Sequence, residues 1–348
     1  MKSTAPFEPC AMLPEELSLL AASMGEPPFR GKQLFSWIQA RGVVDPSAMT
    51  NLSKAFRERV ASVDLAWPAR IGQALRAADG TRKLEIVLRD GCAVETVLIP
   101  ERDKLTQCLS TQVGCAVHCA FCRSGHNGLA RNLTAGEIVA QVHLARAAYL
   151  PEETLRNVVL MGVGEPLHNL ENVLRAVAVL EHADGANLSS RRVTLSTVGI
   201  PRGIDRLGEA THGRVALAIS LHAADDDTRA FLVPGAKAGV AEIVEALRRY
   251  PLPSRRRFTI EYVMVKGVND SDGAARRLAK LLAPLKVKVN LLPLNPHDLT
   301  DLMAPDDDRV AAFQQILIDK GLSVFLRKRR GADIGAACGQ LLAVRPSS

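Results

Sequence analysis

The stretch GCAVHCAFC, from Gly114 to Cys122, holds three cysteines in a Cys-x3-Cys-x2-Cys spacing. No fourth cysteine closes the set within this stretch. Three thiolates with one open position suit a 4Fe–4S cluster, whereas a structural zinc site normally has four protein ligands. His118 or His126 could act as a fourth zinc ligand. At this point the stretch therefore predicts an iron–sulfur site, with zinc as the alternative.

The chain around this stretch alternates between strand-like and helix-like segments over residues 104–345. Seven apolar, β-rich runs occur there: LTQCLST, RNVVLMG, RRVTLST, RVALAISL, RFTIEYVM, KVKVNLLP and LSVFLR. Amphipathic segments such as TAGEIVAQVHLARAAY and VAEIVEALRRY separate most of them. Parallel neighbours need a crossover, so repeated β–α units predict a parallel sheet. Roughly six units predict an α/β fold with a full or partial barrel, and a flat doubly wound sheet is the alternative.

Polar residues stand at or just past the C-terminal ends of several of these runs. They are Gly164, Glu165, Ser196, Ser220, His222 and Asn295. In a β/α barrel these strand ends form the mouth of the active site. The cysteine stretch follows the first run in the same way. The sequence therefore predicts that the cysteines and these polar residues share one site.

Two smaller segments precede the predicted barrel. Residues 1–68 are predicted to form a helical domain, with Ser53 as a helix N-cap. Residues 69–103 are predicted to form a small antiparallel sheet. Asp-Gly pairs, which are typical of tight hairpin turns, begin at Asp79 and Asp90.

The charge and the termini narrow the functional class. The formal net charge is +7, and basic residues cluster at Arg191–Arg192, Arg255–Arg257 and Arg327–Arg330. Such clusters suit phosphate groups of a nucleic acid, although each could also be a solvated face. The N-terminus lacks a signal-peptide pattern, and no apolar run reaches the ~18 residues of a membrane span. We therefore expect a cytoplasmic protein without a membrane partner and without a structural disulfide framework.

Longer motifs carry a resemblance that covers nearly the whole chain. They are RGKQLFSWI, CLSTQVGCAVHCAFC, RNLTAGEIVAQV, LMGVGEPLHN, RRVTLSTVG, AISLHA, NLLPLNP and RGADIGAACGQL. Together they resemble the RlmN/Cfr family of radical S-adenosylmethionine (radical-SAM) methyltransferases of RNA adenosines. The resemblance implies a partial (β/α)6-type radical-SAM barrel with an N-terminal helical accessory domain that binds RNA and a small antiparallel β extension.

The resemblance also implies the cofactors and their ligands. Cys115, Cys119 and Cys122 would hold a 4Fe–4S cluster. S-adenosyl-L-methionine (SAM) would be contacted by Gly164, Glu165, Ser196, Ser220, Leu221, His222 and Asn295. A low-potential donor such as flavodoxin or ferredoxin would reduce the cluster, and the protein would act as a monomer.

The resemblance assigns three catalytic residues. Cys338 would carry a methyl group taken from one SAM, and a second SAM would generate the radical that activates it. Glu95 would accept a proton from the adenine, and Cys108 would release the product by forming a disulfide with Cys338. The implied substrate is carbon 2 of an adenosine in 23S rRNA, with tRNA as a further candidate. Carbon-8 methylation of the Cfr type and a non-catalytic zinc-stabilised RNA-binding protein are the alternatives.

Overall fold

The N-terminal part of the computed structural model is helical, as predicted. The structure describes residues 7–101, 104–126, 128–149 and 154–345. The first helices are α1 (Pro14–Ser23), α2 (Phe29–Phe35) and α3 (Lys54–Val60), and α2 continues into a π-helical turn at Ser36–Ala40. Ser53 caps α3, because its Oγ accepts a hydrogen bond from Phe56 N at 3.2 Å. This confirms the predicted N-cap.

Three antiparallel strands follow, β1 (Ala69–Arg76), β2 (Arg82–Leu88) and β3 (Ala93–Glu101). Both predicted hairpin turns are present. Gly80 and Gly91 adopt positive φ angles of 84° and 81°, which glycine reaches without steric cost. The Asp-Gly pairs therefore mark the turns correctly.

A parallel sheet forms the centre of the molecule. Its strands are β4 (Lys104–Cys108), β7 (Thr154–Leu160), β8 (Val193–Thr197), β9 (Ala216–Ser220), β10 (Phe258–Met264), β11 (Val287–Pro293) and β12 (Ser323–Leu326). Each pairs in parallel with the next in this order. All seven apolar runs are therefore strands. A separate hairpin of β5 (Gln112–Gly114) and β6 (Leu129–Asn132) encloses the cysteine stretch.

Helices provide the crossovers between the parallel strands. They are α5 (Ala135–Tyr149), α6 (Leu170–Glu181), α7 (Pro201–Thr211), α8 (Asp226–Leu232), α9 (Val240–Arg249), α10 (Asp272–Leu282) and α11 (Asp307–Asp319), while the short α4 (Arg123–His126) lies within the β5–β6 hairpin. A doubly wound sheet reverses its strand order, whereas this order is sequential from β4 to β12. Right-handed crossovers in sequential order place their helices on one face, as in a barrel. The described strands β4 and β12 are not paired with each other, so the predicted partial barrel is confirmed.

The antiparallel strands continue the same sheet. β3 pairs antiparallel with β4, and a short C-terminal strand, β13 (Ala343–Val344), pairs with β3. The division into residues 1–68, 69–103 and 104–345 stays a prediction. No helix in the described part of the chain is both long enough and apolar enough to span a bilayer.

Candidate active site

A cavity of about 160 Å³ opens at the C-terminal ends of the parallel strands. Ten of the residues singled out from the sequence line it: Cys115, Cys119, Cys122, Gly164, Glu165, Ser196, Ser220, His222, Asn295 and Cys338. They come from the ends of four strands, the cysteine stretch and the C-terminal segment. The structure thus brings the predicted residues together at the predicted mouth, while their individual roles stay predictions.

The cysteine stretch is held by backbone hydrogen bonds on both sides. Cys115 N donates to Gly128 O at 3.2 Å, and Gly235 N donates to Val117 O at 2.8 Å. Gly114 begins the turn with a φ of 81°, and a Cβ there would collide with Gly128 O. Only glycine lets β5 and β6 approach closely enough to bring the thiols to the cavity.

The three thiols stand close enough to affect one another electrostatically. Burial raises the pKa of Cys115 to about 12. Burial also raises the pKa of Cys119, and the neighbouring Cys122 and Cys115 raise it further. Thiolates crowded in this way need a cationic centre to be stable, which iron supplies. Among the described residues, no group of three or more His, Cys, Asp or Glu side chains forms a single-ion site. Three thiols with an open fourth position suit a 4Fe–4S cluster.

The polar side of the cavity has an acceptor without a donor. Ser196 Oγ and Ser220 Oγ, on neighbouring strands, lie 3.2 Å apart. Asn295 donates its Nδ2 to Cys338 O at 3.0 Å, but its buried Oδ1 has no partner in the described structure. A buried acceptor without a donor is costly, so a ligand that donates a hydrogen bond here would stabilise the site.

Glu165 is buried on the floor of the cavity. Its two carboxylate oxygens accept hydrogen bonds from Leu167 N at 3.0 Å and Val198 N at 2.9 Å. Burial nevertheless raises the pKa of Glu165. A cationic ligand such as an ammonium group would lower the cost of its negative charge.

The surroundings of His222 keep its imidazole ring neutral. It adopts a φ of 61°, its Nδ1 accepts from Val263 N at 3.1 Å, and its ring packs edge-on against Phe121 at 4.7 Å between centroids. Burial lowers the pKa of His222 to about 3. Leu221 is buried but not among the residues that line the cavity, and its N donates to Glu261 O at 3.1 Å. Its predicted contact with SAM stays a prediction.

Cys338 reaches the cavity from the C-terminal segment, which is fixed to the cysteine stretch. Arg123 N donates to Gly339 O at 2.7 Å, and Ser124 Oγ donates to Leu341 O at 2.6 Å. The Cys338 side chain is accessible to solvent. The surrounding protein still raises the pKa of its thiol by desolvation, and the nearby Glu261 adds to the effect.

Glu95 and Cys108 do not line the cavity, but both stand next to the Cys338 segment. Glu95 Oε1 forms an ion pair with Lys83 Nζ at 2.8 Å, and its Oε2 accepts from Leu342 N at 2.8 Å. Cys108 is the last residue of β4 and is buried. Burial raises the pKa of Cys108, as does the nearby Cys338. The carboxylate of Glu95 and the thiol of Cys108 thus both lie beside the short segment that carries Cys338.

Sequence reasoning missed Glu261, a buried carboxylate that lines the cavity. It lies on β10 beside Ser220 of β9 and Asn290 of β11. Asn290 Nδ2 donates to Glu261 Oε1 at 2.9 Å, and burial raises the pKa of Glu261. A lone carboxylate in the apolar run FTIEYVM was the available indication that one side chain of this strand faces a polar interior.

Two of the basic clusters lie at opposite ends of the sheet. Arg255–Arg257 directly precede β10, and Arg256 donates to the carbonyl oxygens of Arg214 at 2.8 Å and Arg191 at 3.1 Å. Arg327–Arg330 follow β12 and are therefore on the side of the cavity. The guanidinium of Arg256 is thus used in hydrogen bonds to backbone carbonyl groups, and the two clusters face different regions of solvent.

Comparisons with protein families agree with these observations. A family model described as the Radical SAM superfamily matches residues 109–279. A second, described as the ribosomal RNA large subunit methyltransferase N-terminal domain, matches residues 11–64. The two models together include the helical segment, the cysteine stretch and most of the parallel strands.

Individual relatives are similar over almost their whole length. The dual-specificity RNA methyltransferase RlmN of Sorangium cellulosum is 49% identical, and the match covers 98% of this chain and 97% of that protein. RlmN of Solidesulfovibrio magneticus is 45% identical, with 94% of each chain covered. A crystal structure of a radical SAM methyltransferase from Sphaerobacter thermophilus superposes with a TM-score of 0.91 at 43% identity, covering 97% of this chain and 99% of that one.

Proposed function

Because the chain belongs to the RlmN family of radical-SAM methyltransferases, we propose that it methylates carbon 2 of an adenosine in 23S rRNA and also accepts tRNA. The names of its relatives, dual-specificity RNA methyltransferases, support this substrate class. The observation that carries the proposal is the position of Cys338 in the same cavity as Cys115, Cys119 and Cys122. A methyl group on Cys338 would there face the place where a radical is made.

The chain's residues fit a cluster and SAM in defined roles. Cys115, Cys119 and Cys122 would hold the 4Fe–4S cluster, and Asn295 Oδ1 and Glu165 would accept hydrogen bonds from the donor groups of SAM. When bound, the cluster and SAM would supply one electron and a carbon radical that removes hydrogen from an S-methyl group, and the cluster would take one electron back once the carbon has bonded to the adenine. The cavity walls would exclude water from this radical, since all of their residues except Cys338 are buried or half-buried.

Cys338 would first receive the methyl group from one SAM: its thiol proton would be lost, a carbon–sulfur bond would form, and the methyl–sulfonium bond of SAM would break to release S-adenosylhomocysteine. The activated carbon would then bond to the adenine, which leaves RNA and protein joined through Cys338. Glu95, beside Leu342 in the same segment, would take the proton from the adenine carbon. Cys108 would lose its thiol proton and attack the Cys338 sulfur to form a disulfide. The carbon–sulfur bond would break at the same time, and the freed carbon would take up a proton to become the methyl group of the released RNA.

The proposal is tested by trapping the joined RNA. Cys108→Ala should build the adduct and fail to resolve it, so a protein–RNA species should survive denaturant and disappear with ribonuclease. The Cys108→Ala/Cys338→Ala double variant should show none. Normal turnover by Cys108→Ala, or an adduct that forms without Cys338, would contradict these roles.

Two further features complete the proposal. A low-potential flavodoxin or ferredoxin would deliver the electrons to a monomeric protein in the cytoplasm. The helical domain, residues 1–68, would hold the RNA while the target base enters the cavity. Mass mapping of adenosines in RNA from a deletion strain and its parent identifies both the nucleotide and the carbon.

A further inference from the structure

A second cavity, of about 700 Å³, lies at the opposite end of the parallel sheet. Residues 154–156, at the beginning of β7, line it, and so does Arg192, which directly precedes β8. Residues 40–42 of the N-terminal helical segment also line it. The first cavity lies at the C-terminal ends of these same strands. The second one therefore opens away from Cys338 and shares no lining residue with the first.

Among the residues that the structure describes, the second cavity is lined by arginines without a compensating carboxylate. Its described lining includes Arg41, Arg146, Arg156 and Arg192, and it contains neither Asp nor Glu. In the ranges that the structure describes, these four arginines form no ion pair; the arginines that pair with a carboxylate are other ones. Arg146 Nη1 is buried and has no acceptor there. Positive charge held in a recess without an acceptor is unfavourable until an anion supplies one.

An aromatic ring holds one of these arginines, and the histidine in the cavity wall is neutral. The guanidinium of Arg41 lies over the Trp37 ring, 4.0 Å from its centroid. His143, next to Arg146 in the cavity wall, stacks on Trp67 at 4.5 Å and bonds Gln39 Oε1 at 2.9 Å. Burial lowers the pKa of His143 to about 3, so the ring is neutral. The charge of the recess therefore comes from arginine and does not change near neutral pH.

We propose that this arginine pocket, formed by Arg41, Arg146, Arg156 and Arg192, binds phosphate groups. Guanidinium groups present paired N–H donors that match phosphate oxygens, and several of them around one recess favour a ligand with more than one phosphate. Such groups come either from the backbone of an RNA strand or from a free phosphorylated small molecule. The site is separate from the methyl-transfer cavity, so it does not depend on the proposed function.

Ser189 offers a matched pair of variants for the test. It lines the pocket, is exposed, and its side chain makes no capping hydrogen bond. Ser189→Asp adds one negative charge, whereas Ser189→Asn adds a side chain of nearly the same shape as aspartate but without the charge. Calorimetric titration with pyrophosphate, without RNA, should show binding to the parent and to Ser189→Asn. Ser189→Asp should bind at least about tenfold more weakly, because a like charge then faces the ligand.

A second pair of variants identifies the source of the phosphate. Arg156→Gln/Arg192→Gln removes two charges from the pocket, and Lys280→Gln/Lys320→Gln removes two from exposed positions elsewhere. If the ligand is RNA, the pocket variant should flatten the log–log salt dependence of RNA binding by about one per lost contact. If it is a small molecule, that slope should match the control while pyrophosphate binding is lost. If neither pyrophosphate affinity nor the salt slope differs between pocket variants and controls, the proposal is wrong.

Discussion

Replacing Gly164 with alanine tests how closely the backbone approaches at the floor of the first cavity. Gly164 has a φ of 109°, and a Cβ there would lie 2.6 Å from Gln112 Cβ and 2.9 Å from Gln112 N. Gln112 is fully buried. It cannot move aside, because its Oε1 accepts from Glu165 N at 2.8 Å and its Nε2 donates to Asn132 Oδ1 at 2.7 Å. The new methyl group must therefore displace backbone.

Two costs add in this variant. A non-glycine residue in a left-handed conformation costs about 1–2 kcal/mol, and forcing an extra carbon into packed surroundings costs about 1–3 kcal/mol. We therefore expect Gly164→Ala to lower the free energy of unfolding by about 2–5 kcal/mol. Shifting Gln112 also displaces Glu165, so SAM affinity should fall as well.

Gly267→Ala is the matched control. Gly267 has a φ of 71°, and nothing lies within 4 Å of the position that a Cβ would take there. Gly267→Ala should therefore cost only the conformational energy of the left-handed backbone, about 1–2 kcal/mol. Urea unfolding of both variants, followed by circular dichroism, isolates the packing cost as their difference. If Gly164→Ala is no less stable than Gly267→Ala, the close approach to Gln112 is not as described.

Three further predictions concern the cavity and its charges. The anaerobically purified protein is expected to contain about four iron and four sulfide per chain. Cys119→Ser should lose most of both, while Cys92→Ser, which lies outside the cavity, should keep them. Stoichiometric zinc in a colourless, active parent would contradict the cluster. Glu261→Gln should become more stable than the parent as the pH rises from about 4.3, the pKa of a glutamate in an unfolded chain. Burial raises the pKa of Glu261 in the folded protein, so above that pH the unfolded state releases the proton more readily and the parent loses stability. Gln keeps an acceptor for Asn290 Nδ2, and a difference in urea unfolding that does not change with pH would rule this out. Charge-neutral variants of Arg327–Arg330 should flatten the salt dependence of RNA binding by about one per lost phosphate contact, and an unchanged slope would identify the cluster as a solvated face.

The fold was predictable from the sequence wherever a pattern was local. Each of the seven parallel strands is an apolar run of its own, and α9 has clear helical periodicity, whereas α5 is buried on nearly all sides. The hairpin of β5 and β6 was missed because its strands are three and four residues long and are separated by the cysteine stretch. Helices α7 and α8 were missed because α8 has only seven residues and α7 carries two internal glycines, which weaken helical propensity.

The candidate site was predictable only in part. Residues at strand ends could be assigned to one mouth, since the topology of a barrel brings those ends together. The placement of Glu95 beside the Cys338 segment could not be obtained from spacing, because it depends on β13 pairing with β3. Glu261 was overlooked because the direction of a side chain on a strand follows from its register, which the sequence of one strand does not specify.

The pairing of β13 with β3 also has a consequence for the order of folding. Leu342 N and Glu95 Oε2 are 247 residues apart in the chain, whereas the parallel strands join sequence neighbours one after another. Closing so long a loop costs more entropy than any step between adjacent β–α units. The contact should therefore form last, after the sheet provides β3 as a template. A chain whose sheet has not assembled then leaves Cys338 away from the other thiols, and the reactive centre is completed only in molecules that have folded.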